Sequence, residues 1–192
     1  MTETSLRKSI EAFGVQKEIV NVLLLIFPTD SFSAYMHTFT LAVEDPSSFG
    51  KFIEELRTQF GLGVTGHVMI AVREFLSLSN FSMFTRDYVR RCCDLVEYFV
   101  KSRLACRAGV RIQHKPLGTV LKMLRRRMNG IPAELLDNLE AFNSKIYCPA
   151  KHDFSQKENE YKYNVPDAIA ITFISIWLCK EIDQLCRRIP FG

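Results

Sequence analysis

The feature that most constrains this chain is an apolar stripe between Thr85 and about Leu104, where Val89, Cys92, Cys93, Val96, Phe99 and Val100 recur at helical intervals. Spacings of three and four gather them on one helix face, whereas a half-buried strand would need every second position. Arg90 with Asp94 and Glu97 with Lys101 stand four apart on the other side, the separation at which ion pairs span one turn. The same period recurs before this helix. Leu6, Ile10, Phe13, Val20 and Leu24 predict one helix from Thr4 to about Phe27, stopped by Pro28. Further helices are expected from Asp30 to Val43, from Pro46 to near Phe60 and from Thr65 to Leu78.

Beyond the Thr85 helix, Leu117, Val120, Leu121, Leu124 and Met128 face inward on a sixth helix that ends at Asn129-Gly130, a left-handed cap signal. Pro132 opens a seventh with Leu135, Leu136, Leu139 and Phe142 on one face. Cys148 to Asn164 is polar and aperiodic and reads as a long loop. Pro166-Asp167 begin the last helix, which runs through Ile169, Phe173, Ile176 and Trp177 to Arg187-Arg188, cations at the end the helix dipole favours. The expected fold is all-α: a helical bundle of about seven to eight helices in a single domain, residues 1–83 forming its N-terminal helices and 84–192 its core.

A content of 47% hydrophobic and 24% charged residues excludes disordered and low-complexity classes. The longest apolar runs, Ile19–Phe27 and Ala168–Cys179, fall short of the roughly 20 residues that cross a bilayer. No membrane association is expected. The opening Met-Thr-Glu-Thr-Ser-Leu-Arg-Lys lacks the basic-then-apolar order of a secretory signal, so a cytoplasmic protein is expected. On the same ground the six cysteines (Cys92, Cys93, Cys106, Cys148, Cys179 and Cys186) read as reduced thiols rather than a disulfide framework.

Charge is distributed unevenly. Residues 84–127 carry 12 basic and 3 acidic side chains, a net +9, against −3 for residues 1–83 and −2 for 128–192. Lys122, Arg125 and Arg126 share the outward face of the sixth helix and, with Arg86, Arg90, Arg91, Arg103, Arg107 and Arg111, could line a surface for a phosphate backbone. A solvated helix face accounts for the same residues, and both readings stand.

Gly61-Leu62-Gly63-Val64-Thr65-Gly66 matches a dinucleotide-binding glycine pattern, but the residues before it read as amphipathic helix instead of the buried strand that such a site requires. A helix-to-helix turn is expected there, and no cofactor. Cys148 and His152 have no second ligand pair at metal spacing, and no G-x-S-x-G occurs, so neither a metal site nor a serine triad is expected. Asn143 to His152 is more distinctive: it packs an amide, Lys145, the Tyr147 phenol, Lys151 and a histidine into ten positions. A histidine beside lysines suits proton transfer at a phosphate, with the cations holding the developing charge. Exposed loop residues and a helix-capping Asn143 are the plainer alternative.

An all-helical chain with a polar, histidine-containing motif just before its last long helix resembles the HEPN superfamily over about residues 84–192. Members share a helical-bundle core and often carry R-x4-6-H at that place; here Lys145 stands where the arginine would, with six residues between it and His152. The resemblance implies a HEPN-like C-terminal core and a metal-independent endoribonuclease of defence or toxin systems, acting as a homodimer with paired motifs. His152 would then take the family histidine's role, Lys145 and Asn143 would act at the phosphate, Lys151, Lys122, Arg125 and Arg126 would bind RNA, and Tyr147 would stack on a base. The alternative is a non-catalytic helical module for protein contact or self-association.

Overall fold

The computed structural model describes residues 3–26, 85–112, 114–127, 130–151 and 163–188. Every regular element among them is helical, and no strand occurs among the described residues. The elements are α1 (Glu3–Ala12), α2 (Lys17–Ile26), α3 (Thr85–Tyr98) continuing as the π-helical segment π1 (Phe99–Ala105), α4 (Leu117–Arg127), α5 (Ala133–Phe142) continuing through π2 (Asn143–Tyr147) into α6 (Cys148–Lys151), and α7 (Val165–Arg188). The helices expected at 30–43, 46–60 and 65–78, and the glycine pattern at 61–66, lie outside the described residues.

The last helix is the centre of the assembly. From Asp167 to Ile176 all of its residues are buried, because α3, π1, α2 and α5 pack around it. A helix surrounded in this way has no need of a polar face, and its apolar alternation, which imitates a strand, is that of a helix enclosed by others. The polar Thr172 at this depth receives partners: its hydroxyl bonds the Ala168 carbonyl and the Tyr88 hydroxyl, each at 2.7 Å. On α3 the predicted stripe is the buried stripe, Val89, Cys92, Cys93 and Val96 all lying in the core. Burial pushes the Cys92 thiol up to about 12 and Cys93 well above its ordinary value, which leaves both unreactive.

Two expectations are corrected. The single helix predicted from Thr4 to Phe27 is two, α1 and α2, separated at Gly14, which takes φ +86° and donates its N–H to the Glu11 carbonyl at 2.9 Å. The intervening turn lets both helices bury an apolar face, Leu6 and Ile10 from one and Ile19, Val20 and Leu23 from the other. The loop predicted from Cys148 is helical to Lys151. In an α-helix the Pro149 ring would collide with the Lys145 carbonyl four residues back. The segment before it instead widens into π geometry, with the Cys148 N–H reaching the Asn143 carbonyl five residues back, and the helix carries on.

The helix carried by α3 and π1 stops in a Schellman arrangement: the Gly109 N–H reaches the Cys106 carbonyl at 3.1 Å and the Val110 N–H the Ala105 carbonyl at 2.9 Å, with Gly109 at φ +60°. Buried Val110 and Ala105 supply the apolar contact that goes with it. The following α4 returns antiparallel to α5, so that Arg125 near its end meets Asp137 and Glu140 while Gly118 near its start abuts Asn143.

Candidate functional site

Asn143, Lys145, Tyr147 and Lys151 all stand on one continuous helical arm formed by α5, π2 and α6. The arm docks along α3. Tyr147 donates its hydroxyl to Glu97 Oε2 at 2.7 Å, Lys101 donates to Glu97 Oε1 at 2.5 Å, and Lys151 pairs with Asp94. The Lys151 ammonium also lies 5.7 Å from the Tyr147 ring centroid. Arg90 also holds the arm, donating Nε to the Ala150 carbonyl at 2.8 Å.

These contacts set the protonation states. Burial would raise the Glu97 carboxyl, but hydrogen bonds from Lys101 and Tyr147 and the charges of Lys101 and Lys151 bring it below its ordinary 4.5. Burial, and then the Glu97 carboxylate, push the Tyr147 phenol well above its ordinary value, so Tyr147 serves as a hydrogen-bond donor and not as a base. The cluster is an ion-paired clamp that fixes the arm.

Asn143 sits partly buried against α4, where a Cβ on Gly118 would stand 3.2 Å from its Nδ2, and the Cys148 thiol lies 3.9 Å from its Oδ1. It is not a helix cap, since the helix continues past it. Lys145 is exposed and has no side-chain partner among the described residues, and the same holds for Lys122 and Arg126 on α4. Arg125 differs: it bonds Asp137 at 2.5 Å and both oxygens of Glu140 at 3.0 Å. Of the remaining cations considered for the basic surface, Arg103 is paired with Asp183 at 2.5 Å and Arg90 lies 3.6 Å from Asp87, while Arg111 is exposed. His152 lies outside the described residues.

Asp94 and Glu97 are the site residues that periodicity undervalued. Glu97 does pair with Lys101 as the spacing predicts, yet its second oxygen serves Tyr147, 50 positions away, and Asp94 serves Lys151 across 57. For these long-range contacts the only sequence signal was the presence of acids within a basic block.

Among the described residues no group of three His, Cys, Asp or Glu could hold a metal ion, and no helix is long and apolar enough to cross a membrane. Neither a protein-family model, nor a curated protein, nor a solved structure matches this chain.

Proposed function

We propose that this chain is a cytoplasmic RNA-binding helical protein of the HEPN type, meeting phosphate through Lys122 and Arg126 on α4 and Lys145 on π2. The observation that carries the reading is that these three exposed cations keep no partner among the described residues, whereas Lys101, Arg103, Arg125 and Lys151 are held by carboxylates. Gly118, Lys122 and Arg126 follow one another at four-residue steps on α4, and Gly118 abuts Asn143, so the row begins beside the helix that bears Lys145.

In this reading the arm tied to α3 leads in sequence into His152, which transfers the proton in a metal-independent cleavage of the kind used by defence and toxin systems. Attack by a 2′-hydroxyl on its phosphate needs one group to take a proton and another to give one. A homodimer with two copies of His152 supplies both. His152→Ala should abolish cleavage while helicity and salt-dependent RNA binding persist. Wild-type protein that binds RNA but never cuts it, with or without chelator, removes the catalytic half of the reading.

One observation favours a non-catalytic module for protein contact: Tyr147 and Lys151, assigned to base and phosphate, are engaged with Glu97 and Asp94. Absence of RNA binding even at low salt would select it.

A further inference from the structure

Where π1 lies against α7, one carboxylate carries two guanidiniums. Arg103 of π1 donates Nη1 to Asp183 Oδ1 at 2.5 Å, while Arg187, one turn beyond Asp183 on α7, reaches Oδ2 with Nε at 2.8 Å and Nη2 at 2.7 Å. Neither arginine has a further acidic partner among the described residues. Two positive charges therefore share one negative charge. The pair differs in this from Arg125, which meets two carboxylates by itself.

Both guanidiniums are fixed yet open. The Asp183 side chain is only 10% exposed, so its position is set by the packing of α7, and the arginines it holds remain 44% and 75% exposed. Arg103 is held on a second side, its guanidinium carbon standing 5.0 Å from the centroid of the Phe99 ring, which is itself buried. Asp183 engages only Nη1 of Arg103, which leaves Nε and Nη2, and only Nε and Nη2 of Arg187, which leaves Nη1. Two arginines already held in place lose little side-chain freedom when an anion binds, and the planar fork of each matches pairs of phosphate oxygens. Arg107 adds charge at the same end, since it acts on the Cys186 thiol together with Arg103 and Asp183.

We propose that Arg103 and Arg187 form a binding site for a phosphomonoester, held between the N–H groups that Asp183 leaves unused. The carboxylate stays in the site, so a singly charged diester meets little net attraction. A monoester carries close to two negative charges and three acceptor oxygens, enough to engage both arginines at once. The site is carried by other elements than the RNA surface and does not rest on that reading.

The test is thermal unfolding and titration calorimetry of the full chain with inorganic phosphate, methyl phosphate and dimethyl phosphate at millimolar concentration, ionic strength being held constant with sodium chloride. The expected result is a saturable rise in Tm with phosphate and methyl phosphate and none with dimethyl phosphate. Arg103→Gln and Arg187→Gln should each weaken binding about tenfold or more. Each leaves the other arginine on Asp183, so the buried carboxylate stays paired and the helical circular dichroism should be unchanged. The combined Lys122→Gln, Arg126→Gln and Lys145→Gln variant should respond like wild type, which separates this site from the RNA surface. The proposal is overturned if no phosphate compound shifts Tm beyond the chloride control, if dimethyl phosphate binds as well as methyl phosphate, if both arginine variants bind like wild type, or if the combined variant loses the response.

Discussion

Asp167 holds Gln16 twice, the Gln16 backbone N–H on Oδ1 and Nε2 on Oδ2, both at 2.8 Å, although 151 residues separate them. The same carboxylate accepts the Asn164 N–H at 3.0 Å, and Asn164 Oδ1 accepts the Asp167 N–H at 2.8 Å. That reciprocal pair is a capping box at the start of α7, and because Gln16 immediately precedes α2, one buried carboxylate organises two helix starts. In Asp167→Asn an NH2 replaces one acceptor and confronts N–H donors, so chemical denaturation should show a loss of about 1–3 kcal/mol.

The pH dependence of this carboxyl has a definite sign. Burial raises it above its ordinary 3.8, against the pull of its three N–H donors. The folded state therefore binds the proton more tightly than the unfolded chain does, and this group's contribution to stability is present below 3.8 and lost as pH rises through the raised value. Denaturation midpoints of wild type and Asp167→Asn, measured across that interval, should converge as pH rises, the wild-type advantage being smaller on the alkaline side.

Glu97 behaves in the opposite way. Its carboxyl is depressed in the fold, so its contribution is present above the ordinary 4.5 and disappears as pH falls through the depressed value. Tyr147→Phe, which removes one hydrogen bond and leaves the Lys101 pair, should cost about 0.5–1.5 kcal/mol by denaturation at neutral pH and narrow that acid loss.

The fold class and the core faces were legible because periodicity reports burial directly: Val89, Cys92 and Val96 on α3, and Leu117, Val120 and Leu124 on α4, are buried as their spacing requires. Breaks in a helix were harder. Phe13 and Val20 continued one apolar period across Gly14, hiding a turn, and the segment from Cys148 read as a loop because no local pattern announces a π segment that accommodates Pro149. The clamp at the site was out of reach for a different reason. Tyr147–Glu97 and Lys151–Asp94 join positions whose proximity arises only when the arm docks on α3.

Gly14 offers a check on the corrected helix boundary. At φ +86° any side chain is strained, while the nearest neighbour of an added Cβ, Asn164 Nδ2 at 3.7 Å, is in ordinary contact. Gly14→Ala should therefore lower stability by about 1–2 kcal/mol through backbone conformation and not through a clash. If α1 and α2 were one helix, the same change would stabilise the protein.

Asp94→Asn tests whether the clamp competes with the proposed RNA surface. Its side chain is 58% exposed, so releasing Lys151 should change stability by less than about 1 kcal/mol. RNA affinity at low salt should rise, and its salt dependence should steepen by about one phosphate contact, as measured by fluorescence anisotropy.

The central claim is that exposed cations on α4 and π2 bind an RNA backbone, and the salt dependence of single-stranded RNA binding measures it most directly. Each neutralised phosphate on a single strand contributes a slope of about −0.7 in log affinity against log salt, so three contacts give about −2. Wild-type protein should show a linear fall of that order, and Lys122→Gln, Lys145→Gln and Arg126→Gln together should flatten it while leaving the helical circular dichroism intact. An affinity indifferent to salt, or a slope unchanged in the triple variant, would contradict the account.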